Sequence, residues 1–132
     1  MNEKLVLDAG VLSLHFVDHP GVRKYFEAII TRRSDGLIHA VNLAEFYYKS
    51  CQKIGKQTAD TWYYQLKNSE LSIVNRAELE RAAGLEKCRQ SPKLSIADCF
   101  ALALSKAENA LLLTTDSELA RVKGVNARHI TV

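Results

Sequence analysis

Apolar residues fall along this chain in short unbroken runs separated by longer stretches of helical spacing. The runs 4–7, 37–41, 71–74 and 110–114 are largely apolar without alternation, as strands are when both faces of a parallel sheet are covered. Between them apolar positions recur at i, i+3 and i+4, the period of a half-buried helix. This spacing predicts a short helix after Asp8 carrying Val11, Leu12, Leu14, His15 and Phe16. It predicts another over 22–31, with Tyr25, Phe26, Ile29 and Ile30 on its apolar face. A third starts from Asn42 as its cap and stops at Gly55, and a fourth covers 58–68. A polar helix over 76–89 turns Leu79, Ala82, Ala83 and Leu85 inward. Ser95 caps the next, whose apolar stripe is Ile96, Cys99, Phe100, Ala103 and Leu104. A short helix over 117–122 and a strand over 129–132 end the chain.

Strands alternating with helices predict an α/β fold: three layers, with helices on both faces of a central, mainly parallel sheet of four or five strands. A chain of 132 residues suits one domain, 1–132, with a core that needs no disulfide or metal. No repeat, low-complexity segment or linker divides it.

Composition alters this picture little. The net charge of +3 comes from 18 basic against 15 acidic residues, which permits contact with a polyanion without arguing for it. Cys51, Cys88 and Cys99 are an odd number with no paired spacing, so they are expected to be reduced and packed as small apolar groups. The first strand begins almost at the first residue, leaving no room for a signal peptide. No apolar run approaches the roughly 20 residues that cross a bilayer. A cytoplasmic protein that avoids membranes is expected.

The chemistry lies in the acids. Ligands of open α/β sheets bind beyond the carboxyl ends of the strands. Asp8 and Asp116 each follow a strand, Glu45 comes one helical turn after another, and Asp98 opens a helix that must pack beside them. Singly, each has a plainer use. Asn42 to Glu45 and Ser95 to Asp98 both have the spacing of a capping box, and Asp8 or Asp116 can cap a turn or helix. Capping does not account for four acids at one sheet end, bounded by apolar sequence. Two unit charges 4 Å apart repel by about 4 kcal/mol at an effective dielectric of 20. Such a pocket calls for cations or raised pKa values. Oxygen donors alone suit Mg2+ or Mn2+, ions that activate water and neutralise a leaving oxygen in phosphodiester hydrolysis.

In order and spacing, the segments Leu5-Val6-Leu7-Asp8, Asn42-Leu43-Ala44-Glu45-Phe46, Leu94-Ser95-Ile96-Ala97-Asp98 and Leu113-Thr114-Thr115-Asp116 resemble those of PIN-domain ribonucleases, particularly VapC-type toxins. The likeness extends over essentially the whole chain. It implies a metal-dependent endoribonuclease, the toxin of a toxin–antitoxin pair, with RNA as substrate, an antitoxin as partner, and a homodimer. Asp8, Glu45, Asp98 and Asp116 would hold one or two divalent ions, with Thr114 supporting them by hydrogen bonding. The sequence departs from the family at two places. Ala9-Gly10 offers no hydroxyl where one usually follows the first acid, and Asn42 stands where serine or threonine is common.

Other features carry less. Glu118 is read as a first-turn helix acid, and His15 and His19 as surface residues. The rings in 46–48 and 62–64 are read as core and interhelix packing, with a partner groove as a use for exposed members. Lys49, Lys53, Lys56 and Lys93 are read as solvated surface, with RNA backbone contact as the alternative. Two other functions compete with the nuclease. A receiver-type signalling domain would need paired acids after the first strand and a late lysine, both absent. A catalytically inactive PIN-like interaction module is favoured only by Ala9-Gly10.

Overall fold

The computed structural model describes residues 2–90 and 93–132. The chain runs β1 (Glu3–Leu7), α1 (Ala9–Phe16), a 3-10 turn (Pro20–Val22), α2 (Arg23–Ile30), β2 (Ser34–His39), α3 (Ala40–Ile54) and α4 (Lys56–Lys67). There follow β3 (Ser72–Val74), α5 (Glu78–Arg89), α6 (Ile96–Glu108), β4 (Leu111–Thr114), α7 (Ser117–Ala120) and β5 (Asn126–His129). The five strands form one sheet in the order β3-β2-β1-β4-β5, and every pair is parallel.

The unbroken apolar runs have the expected cause. Leu5 and Leu7 of β1 point into a core shared with Leu12, Phe26, Ile29, Phe46 and Leu66, from α1 to α4. Val6, between them, points into a second core with Leu79, Ala83, Phe100 and Leu102, from α5 and α6. Successive strand side chains face opposite ways, so the central strands must be apolar at every position. The result is a three-layer α/β fold, its sheet five-stranded and wholly parallel.

Several expectations are corrected in detail. α3 begins at Ala40, and its cap is His39, whose Nδ1 accepts from Val41 N at 3.1 Å. Asn42 therefore lies inside the first turn and is no cap, and the box from Asn42 to Glu45 does not form. An imidazole nitrogen can accept an amide hydrogen bond as a carboxamide does, so the chain leaves the sheet two residues early. The last strand is Asn126–His129, not 129–132. As an edge strand pairing only with β4, it has no apolar run to betray it. Ile96 is 49% exposed at the first turn of α6, outside the stripe it was assigned to.

Of the cysteines only Cys99 is buried; Cys51 is half-buried and Cys88 exposed. His15 is half-buried and stacks on Phe26 with ring centroids 4.0 Å apart. His19 accepts from Gly21 N at 3.0 Å, which caps the 3-10 turn. Phe46 and Trp62 do pack between helices, Trp62 stacking on Phe16 at 4.7 Å. Tyr48 and Tyr64 are exposed. Among the described residues, no helix is long and apolar enough to cross a membrane.

Candidate active site

Asp8 is the first residue beyond the central strand, and it is buried because the layers close over the sheet end there. It caps α1: Oδ1 accepts from Val11 N at 2.9 Å. Its other oxygen, Oδ2, accepts from the hydroxyl of Thr114 and from Thr115 N at 3.3 Å. The pairing of β1 with β4 brings these groups together across the sheet. Thr114 is fully buried, and its hydroxyl also accepts from Asp116 N at 2.9 Å. One hydroxyl thus ties two acids. Asp116 in turn caps α7, with Oδ1 accepting from Glu118 N at 2.8 Å and Leu119 N at 3.4 Å.

Asp98 approaches from α6. The capping box with Ser95 is complete: Ser95 Oγ accepts from Asp98 N, and Asp98 Oδ2 accepts from Ser95 N, both at 3.0 Å. α6 is tied to α3 at this end by Asn42, whose Nδ2 donates to Ala97 O at 2.9 Å. Asn42 is fully buried, and its Oδ1 has no partner. Its place is thus the joint between the helices that carry Glu45 and Asp98. Glu45 lies one turn further along α3 and pairs with Lys49 at 3.5 Å.

The charges act on one another. Asp8 has its pKa pushed up to about 6, chiefly by burial. The hydrogen bonds from Thr114, Val11 and Thr115 oppose this rise, and the charge of Asp98 adds to it. Asp98 is also raised, again chiefly by burial; its bonds with Ser95 work against this, Asp116 adds to it and Lys49 relieves it. Asp8, Asp98 and Asp116 therefore interact in sequence at the carboxyl end of the sheet, and the charge of Lys49 acts on Asp98 as well as on Glu45. Among the described residues, no three His, Cys, Asp or Glu side chains converge closely enough to grip one ion. The donor set nevertheless suits a hard divalent cation. It is all oxygen, and the ammonium of Lys49 acts on its rim while Asp8 stays buried without a cation of its own.

Lys49 was not picked out from the sequence as a counter-charge, although its i+4 spacing from Glu45 is the usual signal for such a pair. Thr115 was also missed, since a backbone N–H leaves no mark in the residue pattern. Glu118 is the first-turn acid expected of it; its carboxylate faces Arg121 at 3.5 Å and Lys93 at 3.8 Å. Beside Asp8 opens a groove of about 540 Å3, lined among others by Gly10, Thr115, Lys49, Lys53, Trp62 and Val132.

An acid-tipped parallel sheet with this strand order defines a class, and comparison with known proteins gives it a family. The PIN-domain family model matches residues 5–125, and the chain belongs to that family. Its fold is shared with VapBC2 of Rickettsia felis, solved on a promoter DNA fragment, at a TM-score of 0.74 and 18% identity over 96% of this chain and 98% of that one. DNA-bound VapBC of Salmonella typhimurium gives 0.74 and 15%, over 98% and 99%. VapC20 of Mycobacterium tuberculosis, described as a sarcin–ricin loop cleaving toxin, gives 0.72 and 12%, over 92% and 95%. No curated protein sequence matches the chain.

Proposed function

We propose that this protein is a divalent-metal-dependent endoribonuclease that works in the cytoplasm as the toxin of a toxin–antitoxin pair. The observation that carries the reading is the buried Asp8, held by three hydrogen bonds yet raised to about 6 and placed beside Asp98. A protein that needed Asp8 only as a helix cap would have no use for further acids beside it. PIN domains are in general metal-using nucleases, and the VapC structures with this fold come from toxins and their antitoxin complexes.

Asp8, Asp98, Asp116 and Glu45 would hold Mg2+ or Mn2+, which supplies a nucleophilic water and charge neutralisation at the phosphodiester. The residues' own work is positional. Thr114 fixes the rotamer of Asp8 and sets the backbone of Asp116. Asn42 sets the spacing of α3 and α6. Lys49 balances the acids on the groove side, where a phosphate of the RNA would replace Glu45 as its partner. The groove has apolar walls and a lysine rim, which suits an apolar, acid-flanked segment of an antitoxin.

The purified protein should cleave RNA when Mg2+ or Mn2+ is supplied, and a chelator should stop it. Asp98→Asn should slow cleavage on the order of a hundredfold or more, at least the penalty seen when groups supporting a metal site are removed. Cleavage that persists in chelator, or in the variant, would overturn the reading.

A further inference from the structure

The backbone of Thr115 is held on both sides. Its N–H donates to Asp8 Oδ2 at 3.3 Å, and its carbonyl accepts from His129 Nε2 at 3.1 Å. Its side chain lies against the first turn of α1, where Gly10 has no side chain of its own. A Cβ at Gly10 would lie 2.1 Å from Thr115 Oγ1 and 3.2 Å from both Cβ and Cγ2. Gly10 sits in a helix, so its value is not conformational freedom, which costs helix stability. Its value is the space it leaves, and the Thr115 hydroxyl fills that space. Among the described residues this hydroxyl has no hydrogen-bond partner, in contrast to the doubly bonded hydroxyl of Thr114. Gly10, Thr115 and Lys49 all line the groove that opens beside Asp8. A hydroxyl with a free donor, on a backbone held from both sides and sharing its groove with a lysine, is suited to an anionic oxygen.

We propose that Thr115, admitted by Gly10, is a substrate-contacting hydroxyl that donates to a phosphate oxygen of the RNA strand where it passes from Asp8 into the groove. This rests on the ribonuclease reading above and adds to it a residue outside the acid set. It also gives Ala9-Gly10 a physical meaning: the hydroxyl absent from the start of α1 is supplied from the end of β4.

The test measures binding of a single-stranded RNA oligonucleotide to protein carrying Asp98→Asn, in chelator, so that neither cleavage nor metal enters. In that background Thr115→Ala should weaken binding about tenfold, the worth of one hydrogen bond to a charged acceptor. Thr115→Ser should keep the parent affinity. Gly10→Ser together with Thr115→Ala returns a hydroxyl from the opposite side and should recover most of the loss. Gly10→Ala with Thr115→Ala removes the hydroxyl and its overlap, leaving only a tight 3.2 Å approach between the two Cβ atoms, and should stay weak. Thermal melts of each variant confirm that folded proteins are compared. RNA bound equally by all of them would overturn this inference and leave the nuclease reading standing. RNA bound by none of them, the Asp98→Asn background included, would overturn both.

Discussion

At the scale of single residues, the acids differ in what their charge costs the fold. The carboxyl of Asp8 holds its proton to about pH 6 in the folded chain, against an ordinary value of 3.8. A raised carboxyl pKa means that the folded state binds a proton the unfolded state releases. Stability from this group therefore rises as pH falls through 6 and levels off near 4. Between pH 7 and pH 5 the gain is about 1 kcal/mol in chelator. His15 and His39, both depressed by burial, pull the other way in the same window. The share of Asp8 is thus read as the difference between parent and Asp8→Asn in melts against pH. Equal slopes in the two proteins would mean that folding does not raise the proton affinity of Asp8. Asp98 gives a second contrast. As a mere capping acid, its replacement by asparagine should cost roughly 0.3–1 kcal/mol. Beside Asp8 and Asp116, the same change removes repulsion, and metal-free Asp98→Asn should melt at or above the parent. Saturating metal should stabilise the parent by about 2.7 kcal/mol at a hundredfold excess over the dissociation constant, and the variant clearly less.

At the scale of elements, the site depends on two joints. Thr114 joins β4 to β1 by bonding Asp8, and Asn42 joins α3 to α6 by bonding Ala97 O. Thr114→Val keeps the shape of the side chain and removes both its donor and its acceptor. It should cost about 1–3 kcal/mol in denaturant unfolding and weaken Mn2+ binding. Asn42→Ala should cost a similar amount, about 1–3 kcal/mol, while leaving Asp8 and Thr114 bonded. A weaker metal affinity in this variant would report the displaced Asp98. The element-level story was partly legible in the sequence. An acid within two residues of the end of an unbroken apolar run marks the end of a covered strand, which is how Asp8 and Asp116 could be placed. Ser95 and Asp98 form the capping box their spacing announces. Asn42 misled because its side chain suits a cap, while the backbone turns at His39, whose ring is a less usual cap. β5 lay hidden because an edge strand is not required to be apolar on both faces. The hold of Thr115 on Asp8 could not be read at all, since it is made by a peptide N–H and by the side chain that Gly10 lacks.

At the scale of the whole molecule, Trp62 offers a direct probe. It is the only tryptophan in the chain, and it lines the same groove as Gly10, Lys49 and Thr115. An antitoxin segment docking there should change its emission, with an affinity that falls in Lys49→Ala and Lys53→Ala as rim charges are lost. An unchanged spectrum at saturation would put the partner elsewhere. Exposed Tyr48, Tyr64 and Ile96 leave apolar surface for the second copy expected of a homodimer, which sedimentation across a concentration series will test. The order of the strands has a consequence in time. β1 lies at the centre of the sheet and is synthesised before its neighbour β4, with Thr114 106 positions after Asp8. At about 5–20 residues per second, a nascent chain waits on the order of 5–20 s between the first half of the site and the second. Until β4 emerges, Asp8 lacks its partner hydroxyl and the Asp116 carboxylate does not yet exist. A growing chain therefore carries Asp8 without these partners at the sheet end until β4 and the start of α7 have been made, and the assembled acids appear together only then.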